Sequence, residues 1–164
     1  EFNCALPSRQ EQRKEIMKKI LGKTEDTFLI EQPFWCDYGY NIKIGKNFYA
    51  NHGCIILDAV SVIFGDNVFV APNCGFYTSG HPHSPDLRNQ GLEYAKPIIV
   101  GNNVWIGGNV VVMPGVTIGD NTIIGSGSVV TSDIPSNVIA VGTPCKVLRT
   151  ITESEMQKER ESIL

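Results

Sequence analysis

The stretch "VGNNVWIGGNVVVMPGVTIGDNTIIGSGSVVTSDIP", Val100 to Pro135, divides into six units of six residues. Cut this way, Val100, Ile106, Val112, Ile118, Ile124 and Val130 form one column, and Val104, Val110, Val116, Thr122, Ser128 and Ile134 form a second, four places on. Glycine follows the first-column aliphatic in four units, at Gly101, Gly107, Gly119 and Gly125. A period of six is neither helical nor the simple alternation of a strand, so each unit must hold a short strand and a turn. Three units make one coil of about 18 residues in a roughly triangular prism. The first column points inward, and the glycine and asparagine positions supply the backbone angles of the corners. The pattern predicts a mainly β protein, a parallel β-helix of hexapeptide repeats.

Upstream the column is looser. Ile44, Ala50 and Ile56 are in phase, and Phe64, Val70 and Phe76 resume after a slip of two residues around Asp58 and Ala59, which marks a modified corner. Cys36 and Cys54 are 18 residues apart and are expected to stack on successive coils. Then "FYTSGHPHSPDLRNQGLEYAKP", Phe76 to Pro97, interrupts the pattern with polar residues and two of the three histidines, His81 and His83. An extruded loop is predicted over 77–97.

The flanks read as helices. "SRQEQRKEIMKKIL" opens with Ser8 and Glu11 in capping-box spacing and carries Ile16, Ile20 and Leu21 on one face; "TESEMQKERESIL" repeats the device with Thr152 and Glu155. The expected organisation is an N-terminal helical segment over 1–29, the β-helix over 30–145, and a C-terminal extension with a helix over 146–164. Both helices are expected to cover the ends of the prism.

At 164 residues and 42% hydrophobic, the chain supports one domain with a real core. A net charge of -3 without a basic run beyond Lys18 and Lys19 argues against a nucleic-acid surface. Five scattered cysteines without a C-x-x-C pair fit reduced thiols in a cytoplasm and give no zinc finger. No apolar stretch approaches the roughly 18 residues of a membrane span, and "EFNCALPSRQ" lacks a signal-peptide layout. The start at Glu1 rather than methionine leads to the expectation that an upstream segment is missing.

The ordered set "YGYNIKIGKNFYAN", "IGDNV", "SGHP", "VGNNVWIGG" and "GTPCKV" resembles the maltose, galactoside and nodulation-type sugar O-acetyltransferases of the hexapeptide-repeat superfamily, over nearly the whole chain. The resemblance implies a left-handed β-helix and a homotrimer with active sites between subunits. It also implies direct acetyl transfer from acetyl-CoA to a sugar hydroxyl, with no metal. On the matching motif it makes His81 the catalytic base, since a neutral imidazole can take a hydroxyl proton near pH 7. It implies acceptor binding by Asp37 and Asn51, and by Asp58, for which a corner satisfying backbone donors is an equal reading. For the donor it implies Trp105, Gly108, Ser126, Thr131, Lys146 and Arg149, the last two offering charge to phosphates. Gly108 departs from relatives that carry serine there, and leaves a backbone N–H as the oxyanion donor. His52 and His83 are assigned no role.

Three other readings share the architecture. A chloramphenicol- or virginiamycin-type xenobiotic O-acetyltransferase uses a similar base on a loop, usually with a longer excursion. A carbonic-anhydrase-like enzyme would use three histidines for zinc, the number present here. A β-helix can also serve as a scaffold without chemistry.

Overall fold

A computed structural model of the chain describes residues 1–163; Leu164, the last residue of the expected C-terminal segment, lies outside the described residues. Short strands wind into three sheets that form the faces of a prism. A four-stranded face holds Ile42–Lys43, Val62–Phe64, Ile98–Val100 and Thr117–Ile118. A five-stranded face holds Phe34–Cys36, Cys54–Leu57, Gly75–Tyr77, Val111–Val112 and Val129–Val130. The seven-stranded face runs Phe28–Ile30, Phe48–Ala50, Phe69–Val70, Trp105–Ile106, Ile123–Ile124 and Val138–Val141 in parallel, and ends with Lys146–Thr150, which turns back antiparallel. Pairing therefore begins before residue 30 and continues past residue 145.

Every residue of both sequence columns is buried. A fully buried valine or isoleucine stabilises by about 1.5–3 kcal/mol, and here these residues stack along the whole rod. The polar members are satisfied: Thr122 Oγ1 donates to Pro135 O at 2.9 Å, and Ser128 Oγ donates to Gly125 O at 2.6 Å while accepting from Gly142 N. In the earlier coils phenylalanines fill the interior, with Phe48, Phe64 and Phe76 rings 4.9 and 5.0 Å apart.

The corners divide labour differently from the sequence reading. Asn103, Asn109 and Asn121 adopt positive φ, whereas Gly101, Gly107, Gly119 and Gly125 do not. Those four glycines are required for space: a Cβ on Gly107 would lie 2.6 Å from Ser126 N of the next coil, and one on Gly119 2.5 Å from Ser136 N. Along the edge leading into the seven-stranded face, Asn47, Asn67, Asn103, Asn121 and Asn137 form a ladder, each donating Nδ2–H to the next Oδ1 at 2.9–3.0 Å.

The register corrects two expectations. Phe34 lies beside Cys54 and Cys36 beside Ile56, because the first corner holds two extra residues; Cys54 instead neighbours Cys74. Ile134 bridges to Ile118 of the first column, so the final corner is two residues short.

Helix α1 (Gln10–Ile20) buries Met17 and Arg13 against the first coil. Arg13 Nη2 donates to Ile30 O at 2.7 Å and pairs with Glu31 at 2.8 Å. The Ser8–Glu11 capping box is absent: the N-cap is Arg9, without a side-chain cap. Helix α2 (Pro85–Asn89) lies in the extruded loop, and α3 (Glu153–Ile163) follows the last strand. At α3 the capping box forms, with Glu155 Oε2 accepting from Thr152 N at 3.0 Å and Glu155 N donating to Thr152 Oγ1 at 3.4 Å. No helix among the described residues is long and apolar enough to cross a membrane.

Candidate active site

The loop over 77–97 is a built hairpin. Ser79–Gly80 pairs antiparallel with Tyr94–Ala95, with Gly80 opposite Tyr94. Its base is sewn to the coil below: Thr78 Oγ1 donates to Leu57 O at 2.8 Å and Thr78 N to the same carbonyl at 3.2 Å. His81 leaves the hairpin directly after Gly80. Its Nδ1 lies 3.2 Å from Leu92 O and its Nε2 3.7 Å from Glu93 Oε1, with both side chains about half exposed. A carbonyl can only accept, so Nδ1 is the donor in this contact, and in the neutral ring Nε2 then presents the lone pair. That is the state a base requires.

Asp58 is fully buried and its carboxylate faces backbone: Asp37 N, Tyr38 N and Gly39 N donate to it at 3.1, 2.9 and 2.7 Å. Its own carbonyl accepts from Asn41 Nδ2 at 2.8 Å. Of the two sequence readings for Asp58, this geometry is that of the corner. Asp58 holds the turn from which Asp37 projects into solvent. Gly39 completes that turn with φ +81, where a Cβ would strike Ile20 O at 2.7 Å.

Asn51 stands on a different edge, between the seven- and five-stranded faces. Its Oδ1 accepts from His52 N at 2.7 Å, which turns its Nδ2 donors outward. It opens onto a shallow hollow with Tyr49, Phe69 and Trp105. Phe69 and Trp105 are register neighbours on the outer surface, each about half exposed. Gly108 and Ser126 lie on the same edge as Asn51, on later coils. Gly108 N bonds to no acceptor among the described residues, and a Cβ on Gly108 would meet nothing closer than Pro72 O at 3.4 Å. A free N–H in an open position can serve an oxyanion.

The single chain thus gathers the predicted residues into two groups. Asp37, Asp58, the His81 hairpin and Thr131 share the edge between the five- and four-stranded faces. Asn51, Gly108 and Ser126 share the edge between the seven- and five-stranded faces, with Trp105 beside them. Lys146 and Arg149 lie on the exposed last strand. Arg149 is already engaged, with Nη1 at 2.7 and 2.8 Å from the two Glu155 oxygens. The Thr152 backbone N–H and hydroxyl, and then Arg149, hold the Glu155 carboxyl below its ordinary value. Beneath α3 a second cleft runs from Trp105 past Asn121 and Ile123 to Ile151, Met156 and Glu159.

The cysteines carry no nucleophile into either group. Burial, then the carboxylates of Asp58 and Asp37, pushes the Cys36 thiol up to about 11. Burial also raises Cys54, Cys74 and Cys145, so these thiols stay protonated near neutrality. His52 Nδ1 is held by Gln32 O, away from His81. No cluster of three metal-ligating side chains occurs among the described residues. Sequence reasoning missed Leu92 and Glu93, which the hairpin pairing of Ser79–Gly80 with Tyr94–Ala95 brings beside His81.

Residues 97–132 match the family described as bacterial transferase hexapeptide (six repeats). The galactoside O-acetyltransferase of Escherichia coli K12 is 48% identical over 155 residues, spanning 94% of this chain and 76% of that protein. A solved galactoside acetyltransferase in complex with coenzyme A superimposes with a TM-score of 0.93, covering 94% of this chain and 78% of that one. A maltose O-acetyltransferase from Clostridium difficile 630 is 51% identical with a TM-score of 0.91, covering 93% and 81%. With half of its residues shared across nearly its whole length, the chain belongs to the hexapeptide-repeat acetyltransferases, the family of the galactoside and maltose O-acetyltransferases.

Proposed function

We propose that this protein transfers the acetyl group of acetyl-CoA to a hydroxyl of a sugar of the maltose, glucose or galactoside kind, with His81 as base. The observation that carries this reading is the His81 imidazole, held at Nδ1 by a backbone carbonyl so that Nε2 stays open. Nε2 takes the hydroxyl proton as the sugar oxygen attacks the thioester carbonyl. The tetrahedral oxyanion meets the free Gly108 N–H. Collapse expels the CoA thiolate, which recovers the proton from Nε2. No acyl-enzyme is needed, in keeping with thiols that remain protonated.

Asp37 and the outward amide of Asn51 orient the sugar ring, so that one hydroxyl among several faces the base. Asp58 acts behind Asp37 by fixing its turn. The donor lies along the edge of Gly108 and Ser126 beside Trp105, and its phosphates lie toward Lys146 and Arg149, with Thr131 supplied from another edge. The two groups of site residues stand on different edges of one prism, so a complete site forms where the His81 hairpin of one chain meets the Asn51 edge of another. A closed homotrimer satisfies every such edge at once. The five unpaired cysteines suit a cytoplasmic setting.

The test is acetyl-CoA-dependent thiol release across glucose, maltose, galactosides, glucosamine oligomers and chloramphenicol, with and without chelator. Sugar-dependent, chelator-insensitive release is expected. Release with chloramphenicol alone would move the enzyme to the xenobiotic class, and loss of activity on chelation would remove the metal-free mechanism.

A further inference from the structure

We infer that Glu93 is a positioning residue whose carboxylate stabilises the positive charge that appears on His81 during transfer. The inference rests on the assignment of His81 as base. The hairpin brings the two together: Gly80 is opposite Tyr94, so the next residues outward on each strand are His81 and Glu93. Leu92 O occupies Nδ1, and Glu93 Oε1 stands 3.7 Å from Nε2, too far for a strong hydrogen bond and close enough for charge to be felt.

The remaining charged groups of the hairpin are turned elsewhere. Arg88 Nη1 donates to Pro82 O at 3.0 Å and His83 O at 3.3 Å, and Lys96 Nζ lies over the Tyr94 ring. Asp86 lies in the first turn of α2, and no ion pair joins it to His81 among the described residues. Glu93 is the carboxylate that pairs with the ring.

A base must start neutral, and a neutral ring at 3.7 Å interacts with Glu93 only weakly. As the sugar O–H bond breaks and the proton arrives on Nε2, the ring becomes a cation beside a fixed anion. The attraction exists in the transition state and not in the ground state, so it raises kcat rather than tightening sugar binding. The proton passes from sugar oxygen to Nε2 and then to the departing thiolate, so no proton resides on the carboxylate.

The experiment compares Glu93→Gln, Glu93→Asp and His81→Ala in steady-state kinetics with saturating acetyl-CoA and varied maltose or galactoside. Gln keeps size and hairpin geometry but removes charge. Expected are a kcat reduced roughly fivefold in E93Q, the scale of one exposed ion pair, an acceptor KM changed by less than about twofold, and partial recovery in E93D. A second measurement is the response of kcat to added potassium chloride. Salt screens the wild-type pair, so wild-type kcat should fall while that of E93Q stays flat, a difference that a merely structural role does not produce.

If H81A is inactive and E93Q has wild-type kcat and salt response, Glu93 is overturned and the base assignment stands. If E93Q raises acceptor KM alone, Glu93 binds the sugar instead and the positioning role is overturned. If H81A keeps full activity, the base assignment itself falls, and the role of Glu93 with it. Should E93Q fail to fold, the retained charge in E93D must preserve the salt response, and its loss would overturn the proposal.

Discussion

Two edges of this prism never change length, and the third absorbs all of its variation. From the four-stranded to the seven-stranded face, and from there to the five-stranded face, inward residues follow every six positions: Ile44, Ala50, Ile56; Phe64, Val70, Phe76; Val100, Ile106, Val112. From the five-stranded back to the four-stranded face the step is eight at Cys36 to Ile44 and at Ile56 to Phe64. It is twenty-four at Phe76 to Val100, six at Val112 to Ile118, and four at Val130 to Ile134. The constant edges are locked between coils, through the asparagine ladder on one and the close approach of the next coil to Gly107 and Gly125 on the other. The variable edge carries Asp37, Asp58 and the His81 hairpin. Insertion is tolerated where no ladder runs, and the hairpin that carries the proposed base is the largest insertion there.

The largest test of this division is complementation between chains. H81A and Asn51→Ala proteins, each crippled alone, should regain up to about a quarter of wild-type turnover after denaturation and joint refolding, because a random mixture rebuilds that share of sites. No recovery would place both groups within one chain. H81A alone should lower kcat by on the order of 10² to 10⁴ without changing the melting temperature.

On the variable edge, Asp58→Ala strips a buried carboxylate from three backbone N–H groups and should cost about 3 kcal/mol in urea unfolding. A near-neutral result would mean that water replaces it and that Asp37 is held by other means. On the ladder edge, Asn103→Ala loses both a rung and a side chain suited to φ 55, for about 1–2 kcal/mol, whereas Asn103→Gly should cost less. Equal losses would make the rungs, rather than the backbone angle, the dominant effect.

The smallest effect concerns the donor end. Glu155→Ala frees Arg149 and should lower the acetyl-CoA KM about twofold, at some cost to α3. An unchanged KM would remove Arg149 from the phosphate site.

The rod was legible where the repeat ran unbroken. Two apolar columns over Val100–Pro135 located both inward rows, and the slip near Asp58 was visible because aliphatic residues flank it. The extra pair in the first corner was invisible, since no marked column precedes Cys36, and the cysteine stacking was displaced as a result. Glycine and asparagine were merged into one role because sequence shows neither φ nor the next coil's backbone. His81 stood out by motif. Its neighbours Leu92 and Glu93 did not, because a hairpin inside a polar loop has no hydrophobic alternation to set its register. Assignment of site residues to edges required the corner lengths, which a single period hides.

The last strand, Lys146–Thr150, runs against the direction of every strand before it in the sheet. A stack of identical parallel coils has no intrinsic reason to stop, and an open final coil would offer a template on which another molecule could continue the winding. An antiparallel closing strand presents the wrong hydrogen-bond spacing for a further parallel coil, and α1 occupies the opposite end. On the seven-stranded face the closing strand therefore works as a stop signal, a local guard against end-to-end stacking of one rod on another.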